Sequence, residues 1–426
     1  PHFRGIVWVD DSLYLLTGNE LLNLTDSDDD GIADDVDTLV SGFDPDGTGL
    51  SMKGPMLHPN GRLFWSHASL PYRIPDPDTG EPLFEGRASH LWFSKISGSD
   101  LTPFQTGKFE SVFDIGITER GEIPNAGFAS RASIFETANV RSLCRYHGVA
   151  SSTGFGGEWL LIGDDASQLL AGDITRAGAG FTKGGFESVL ALNSPNERFT
   201  DVIEDHTGDI LVLVSGKSNR VLRVLQGDEP FAAPDYPAWD TLSSAEVADL
   251  LVDDRHWVRE KAITELAVRG APALPELRRL LASPEVSART HRLAVWTLAR
   301  MQFSESIDLI HAALDHDDAG VRQVACNAIG VTRRWQSIAA NQPAERRIEM
   351  ERNRTISGSL ARIVRYDEAP VSREAAVALG RMAENRAVGS ILGRLGRTED
   401  DPILAHALVS ALVEIDDPEI RPTARL

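Results

Sequence analysis

The feature that most constrains this chain is a change of period near residue 243. Before it, short apolar runs are closed by Gly, Asp, Asn or Pro, and side chains alternate with the period of a strand. After it, Ala, Leu, Arg and Glu recur with the period of a helix. One pattern cannot serve both geometries, so the chain divides into an all-β part and an all-α part. Residues 228–243, DEPFAAPDYPAWDTLS, join them as a proline-rich linker without periodicity. The predicted boundaries are 1–227 for the β part and 244–426 for the α part.

Each part repeats. In the first, a polar turn precedes an apolar run at DDSLYLLTG (10–18), HPNGRLFWS (58–66), TERGEIPNAG (118–127), FGGEWLLIGD (155–164) and DHTGDILVLVSG (205–216). Aligned on Tyr14, Phe64, Pro124, Leu161 and Leu211, the spacings are 50, 60, 37 and 50 residues. Four-stranded propeller blades take about 40–50 residues. Five such units and an abrupt start predict a β-propeller of six blades with the first missing; a β-sandwich with long loops is the alternative. In the second part, helices at 256–270, 288–301, 321–334, 371–384 and 403–415 align on Leu266, Leu298, Ile329, Leu379 and Leu412. Their spacings are 32, 31, 50 and 33, the long one holding an insertion near 334–354. No such pair buries its apolar face alone, so stacking predicts a HEAT-type α-solenoid.

Composition limits the function. A hydrophobic fraction of 42% and a charged fraction of 25% suit a folded globular protein. The formal net charge of −21 excludes a polyanion as main partner, so nucleic acid is not expected. No apolar run is long enough for a membrane span. Cys144 and Cys326 form no CxxC, hence no zinc site and no attached haem. The first residues, PHFRGIVWVD, already read as a strand, so the chain reads as a fragment or a processed form. The lack of a targeting segment is then uninformative.

The densest chemistry is DSDDDGIADDVD (26–37). Asp26, Asp28 and Asp30 take positions 1, 3 and 5 of a calcium loop, Gly31 the turn at 6, the Ile32 carbonyl position 7, Asp34 position 9 and Asp37 position 12. The strand-like flanks LLNLT and VDTLV place this loop in a β-hairpin and exclude an EF-hand. A solvated acidic turn is the alternative. Lys53, His67, Arg145 and His147 are the candidate funnel residues of the propeller. His58, opening the HPNG turn, is expected to face solvent, His90 to be structural, and His291, His311 and His406 to be packing or surface residues of the helices. GFGG (154–157) and AGAGFTKGG (177–185) lack the strand-to-helix context of a phosphate loop and read as connections between blades.

Seven segments carry a resemblance: ELLNLTDSDDDGIADDVDTLVSGF, MLHPNGRLFWSHA, FDIGITERGEI, CRYHGVASSTGFGGEWLLIGD, RFTDVIEDHTGDILVLVSG, WVREKAITELAVRG and ILAHALVSALVEIDD. Together they resemble the large haem-binding, membrane-bound dehydrogenase-like proteins of planctomycetes and verrucomicrobia. The resemblance implies a propeller similar to glucose/sorbosone dehydrogenases, which use pyrroloquinoline quinone, then HEAT repeats and a c-type cytochrome domain. It implies an exported, periplasmic protein that oxidises a sugar or similar alcohol and passes electrons on. Two departures stand out. No CxxCH exists, so haem c is not attached to this chain. The slots of the family's catalytic His hold Leu50, Ser51, Met52 and Lys53. Lys53 replaces an imidazole base only if desolvation lowers its pKa. The rival expectation is a calcium-stabilised propeller without catalysis, whose solenoid binds glycans or proteins.

Overall fold

The computed structural model describes residues 5–9, 12–28, 30–44, 52–107, 116–123, 142–147, 159–163, 166–205, 208–224, 237–301, 304–332, 343–398 and 400–416. Fifteen strands come first among these residues. They are β1 (Gly5–Val9), β2 (Ser12–Leu16), β3 (Leu21–Thr25), β4 (Asp35–Val40), β5 (Met52–Leu57), β6 (Arg62–Pro75), β7 (Pro82–Lys95) and β8 (Thr102–Gly107). There follow β9 (Ser142–Arg145), β10 (Trp159–Ile162), β11 (Gln168–Ala177), β12 (Gly180–Ala191), β13 (Arg198–Glu204), β14 (Ile210–Ser215) and β15 (Arg220–Val224). Each sheet is an antiparallel meander in chain order: β1–β4, β5–β8, β9–β12 and β13–β15.

The sequence repeat marks the second strand of every sheet: β2, β6, β10 and β14. That strand has neighbours on both edges and feeds the core, so it reads as a near-continuous apolar run, although in β14 burial alternates and Leu213 is exposed. All four residues of β10 are buried. Its entry turn also repeats. In HPNGR, TERGE and DHTGD the first amide donates to the fifth carbonyl (2.9, 2.9 and 2.8 Å), and the glycine amide donates to the first carbonyl (2.8, 2.9 and 3.0 Å). Gly61, Gly121 and Gly208 have φ of +81°, +75° and +86°, a left-handed conformation that a Cβ penalises. The TERGE turn therefore belongs to the repeat, although 108–115 and 124–141 lie outside the described residues. The AGAGFTKGG segment is instead a hairpin within one sheet, between β11 and β12, which corrects its reading as a connection between blades. GFGG lies outside the described residues.

Neighbouring sheets pack face to face. Tyr14, Leu16, Leu21 and Val40 of the first sheet meet Met52, Leu63, Trp65, Ile74 and Trp92 of the second. Leu160, Ile162 and Leu169 of the third meet Phe199, Val202, Val212 and Val214 of the fourth. The first strands touch: β1 lies against β5, and β9 against β13. Gly5 and Gly54 make the former approach possible, since a Cβ on Gly5 would lie 2.0 Å from the Gly54 carbonyl oxygen. Four-stranded meanders stacked face to face with their first strands adjacent form a propeller-like array.

Ten helices follow among the described residues. They are α1 (Ser244–Asp249), α2 (His256–Arg269), α3 (Leu274–Ala282), α4 (Ala288–Met301), α5 (Ser304–Ala312), α6 (Ala319–Thr332), α7 (Pro343–Tyr366), α8 (Ala369–Arg381), α9 (Val388–Leu395) and α10 (Pro402–Asp416). A capping box opens the array: the Glu246 amide donates to Ser243 Oγ, and the Ser243 amide to Glu246 Oε2 at 2.8 Å. Packing runs α2–α4–α6–α8–α10 in one row, with α3, α5, α7 and α9 in the other. The five helices found from the sequence are that first row, the more deeply buried one. The second half of the insertion forms the first turns of α7, with Ile348 and Met350 exposed. Residues 333–342 lie outside the described set.

A side chain seven residues before four of the five aligned residues, Leu266, Leu298, Ile329 and Leu379, clamps backbone; before Leu412 the position holds Ala405. Arg259 Nη1 donates to the Asp253 and Asp254 carbonyls (2.7 and 2.6 Å), and Arg322 Nη1 to those of His316 and Asp317 (both 2.8 Å). His291 Nε2 does the same to Leu280 and Ser283 (both 3.1 Å), and Ser372 Oγ to Ile363 and Asp367 (3.2 and 3.1 Å). These carbonyls lie at the end of one helix or in the turn into the next, where backbone acceptors outnumber backbone donors; those of Leu280 and Ile363 also accept from the Ser283 and Asp367 amides. His291 is therefore buried and bonded, not a surface residue.

By compactness the chain forms two units: Pro1–Thr175 with Thr182–Asp235, and Arg176–Phe181 with Tyr236–Leu426. Among the described residues no helix is long and apolar enough to cross a membrane.

Candidate functional site

Two constellations carry chemistry. The first is a histidine–carboxylate pair where the third and fourth sheets meet. β9 and β13 are first strands side by side, joined by Ser142 Oγ, which donates to Asp201 Oδ1 at 2.6 Å. Beyond the end of β9 the chain continues through buried Tyr146 to His147, and β13 ends on Glu204. The His147 amide donates to Glu204 Oε2 at 2.7 Å, and Nδ1 lies 2.9 Å from the same oxygen. The side chains are 13% and 9% exposed, so the contact is largely withdrawn from water. An ionised carboxylate only accepts, so Nδ1 carries the proton and Nε2 is the basic nitrogen of the neutral ring. An acid thus orients the ring through Nδ1, an arrangement found in general bases. Arg145, two residues earlier, pairs with Glu119 at 3.7 Å. Glu119 belongs to the TERGE turn, so a repeat turn and a strand end contribute to one neighbourhood.

Sequence reasoning named Arg145 and His147 but missed Glu204. An acid closing an alternating strand, RFTDVIE, was the available signal.

Lys53 and His67 are placed differently. They lie on β5 and β6 of another sheet, where Met52 pairs with His67 and Lys53 with Ser66. His67 shares its face with Leu63 and Trp65 and is 1% exposed. Its ring packs 5.0 Å from Phe43 and edge-on to Tyr72 at 5.9 Å. The strand alternation thus turns it into the core, and not into an open funnel. His58 is likewise buried, against the expectation that it faces solvent. Its Nε2 donates to the Gly121 carbonyl at 2.8 Å, its Nδ1 accepts from the Asn60 amide at 3.1 Å, and its ring stacks on Phe64 at 4.8 Å. It ties the HPNG turn to the TERGE turn. His90 stands in β7 opposite His67.

The second constellation is the acidic turn between β3 and β4. Oxygens of Asp26, Asp28 and Asp34 lie within 4.8 Å of one another. Asp26 Oδ2 accepts from the Gly31 amide at 2.7 Å, and Asp34 Oδ2 from the Ser27 amide and hydroxyl at 2.8 and 2.5 Å. The Ser27 bonds, hydroxyl first, hold the Asp34 carboxyl below the ordinary aspartate range, so it stays ionised further into acid. Gly31, at φ +83°, makes the sharp turn. Asp30 Oδ1 instead accepts from the Ile32 amide at 2.8 Å. Asp37 has left the turn, because pairing of Thr25 with Asp35 and of Asn23 with Asp37 closes the hairpin earlier. Three of the five predicted carboxylates therefore converge. Oxygens this close suit one calcium ion, which takes its ligands at about 2.3–2.6 Å.

No family model matches the chain, and no curated protein matches it. Solved structures do. One glucose dehydrogenase is 13% identical, with a TM-score of 0.34, over 53% of this chain and 81% of its own. A second is 12% identical, with a TM-score of 0.30, over 53% and 83%. A designed armadillo repeat protein in complex with a peptide is 19% identical, with a TM-score of 0.28, over 40% and 81%. The class that the sheets and helices define is a propeller-like domain followed by a helical-repeat solenoid.

Proposed function

We propose that the chain is a quinoprotein-like sugar or alcohol dehydrogenase propeller carrying a HEAT-type interaction domain, part of an exported, periplasmic redox protein of the membrane-bound dehydrogenase-like family. The observation that carries this reading is the His147–Glu204 pair. It supplies a base that Lys53, at the expected position, does not. In this reading a substrate hydroxyl gives its proton to the His147 ring, and Glu204 stabilises the imidazolium that results. Arg145, which pairs with Glu119 at 3.7 Å, fits an anionic cofactor by charge. Pyrroloquinoline quinone, when bound, supplies the hydride acceptor. In this reading electrons leave to a redox partner, for which the solenoid is the docking element. The test is binding. The chain incubated with quinone and calcium, then desalted, is expected to keep the quinone absorbance, and Arg145→Ala to lose it at least tenfold more readily. No retention by the wild type would sink the reading.

A second reading rests on the acidic turn: a calcium-stabilised propeller without catalysis that, with the solenoid, binds glycans or proteins. Calcium is expected to raise the melting temperature of the chain. At 100-fold over Kd the stabilisation is about 2.7 kcal/mol. Asp26→Ala and Asp28→Ala should remove the response; a response unchanged in both would show that the turn holds no cation. Calcium stabilisation without quinone retention favours this second reading.

A further inference from the structure

The four carbonyl clamps of the solenoid differ in one chemical respect. Arg259 and Arg322 clamp with a guanidinium and Ser372 with a hydroxyl, but His291 clamps with an imidazole, whose second nitrogen needs a partner of its own. Like Arg322, whose guanidinium also pairs with Asp367 ahead of α8, it reaches a second repeat. Its Nε2 holds the Leu280 and Ser283 carbonyls, while its Nδ1 lies 2.9 Å from Nε2 of His316, in the turn before α6. His316 Nδ1 accepts from the Asp318 amide at 2.9 Å, and Asp318 Oδ1 accepts from the Val321 amide at 2.9 Å at the start of α6. The rings meet edge to face, 4.8 Å apart.

These partners fix every proton. Carbonyls only accept, so His291 Nε2 carries hydrogen and Nδ1 is an acceptor. The Asp318 amide only donates, so His316 Nδ1 is an acceptor and Nε2 carries hydrogen. Each ring is neutral, and the chain of donors runs one way from α6 through both rings to the end of α3. A proton added to either ring sets N–H against N–H. On His291 it opposes His316 Nε2; on His316 it opposes the Asp318 amide.

We infer that the His291–His316 pair is an acid-sensitive latch between the second and third helical repeats, closed while both rings are neutral and released when one is protonated. The charged groups around it are of both signs. Asp317 and Asp318 flank His316 and favour its protonation. Arg322 opposes it, although paired bidentately with Asp367 at 2.7 and 2.8 Å. Arg292, on the α4 side, faces Asp318 at 3.6 Å. Burial, then the neighbouring His291, outweigh the acids and hold His316 below the ordinary histidine value. A folded-state value below the unfolded one means that the unfolded chain binds more protons in acid. The contribution to stability is thus complete above the ordinary histidine value and is lost as pH falls through the folded one.

The test is hydrogen exchange read by mass spectrometry on the full chain at pH 7.5 and 5.0, corrected for intrinsic rates. Protection in peptides covering 283–291 and 313–321 is expected to fall at least tenfold at the lower pH, while the peptide over 250–259, clamped by Arg259, changes less than threefold. Replacing His316 by Gln, which keeps a donor near the Nε2 position but does not titrate, should reduce the fall. His406, also held low by burial, sits in α10 and outside these peptides. Equal loss of protection in all three peptides, or none in any, would overturn the latch. The wild-type comparison decides this even if the variant folds poorly.

Discussion

Glu204→Gln is expected to cut alcohol-dependent dye reduction by the quinone-reconstituted chain about 10²–10⁴-fold. The amide keeps the size of the side chain, and its oxygen can still accept from the His147 amide, now 2.7 Å from the carboxylate. What it loses is charge. A proton arriving on His147 makes an imidazolium, and a contact this shielded from solvent gives that ion little other stabilisation. Gln can also present its NH₂ to Nδ1, which would reverse the tautomer and leave Nε2 a donor. A structural role alone predicts a lower melting temperature with intact turnover, so both are measured on the same preparation. Full turnover in Glu204→Gln would remove this pair from the reaction.

Arg259→Ala is expected to lower the stability of the helical part by about 2–5 kcal/mol, read as a fall in the urea midpoint of the helical circular dichroism signal. Arg259 is 3% exposed and closes two carbonyls at 2.7 and 2.6 Å. A buried acceptor left without a partner costs about 1–3 kcal/mol, and because these two bonds are part-buried each falls toward the lower end. Alanine also removes the packing of the arginine stem. Arg259→His should recover part of the loss at pH 7.5, because His291 performs the same task one repeat later. A loss below about 0.5 kcal/mol would mean that water or neighbouring groups satisfy these carbonyls, and that the clamps are not general features of the array.

The architecture was legible where one physical requirement repeats. A turn needing positive φ puts Gly61, Gly121 and Gly208 at the same place, and a strand paired on both edges beside the core carries a run of apolar residues. The helix row from α2 to α10 stood out because it is buried on most sides, whereas the outer row has a weaker pattern. The clamps were hidden because Arg259, His291, Arg322 and Ser372 share a role and not a residue type. Donating to a carbonyl is open to all three chemistries. His58 was misplaced because an HPNG turn ordinarily meets water, but here it meets the TERGE turn 63 residues away. Strand alternation with Leu63 and Trp65 was enough to bury His67, and it outweighs the polarity of the ring. The acidic turn was seen in outline. Its spacing implied five carboxylates, yet the hairpin register removes Asp37, and a local bond to the Ile32 amide turns one oxygen of Asp30 aside. Glu204 could not be assigned from its own segment, because its partner lies 57 residues earlier and only the adjacency of β9 and β13 brings them together.

Turnover of the whole chain, loaded with quinone and calcium and assayed by dye reduction over a panel of sugars and simple alcohols, tests the central claim most directly when wild type and His147→Asn are compared side by side. Substrate-dependent reduction by the wild type is expected, with a loss of at least 100-fold in His147→Asn at unchanged melting temperature. Absence of turnover in a wild type that retains the quinone, or equal rates in the two proteins, would contradict it.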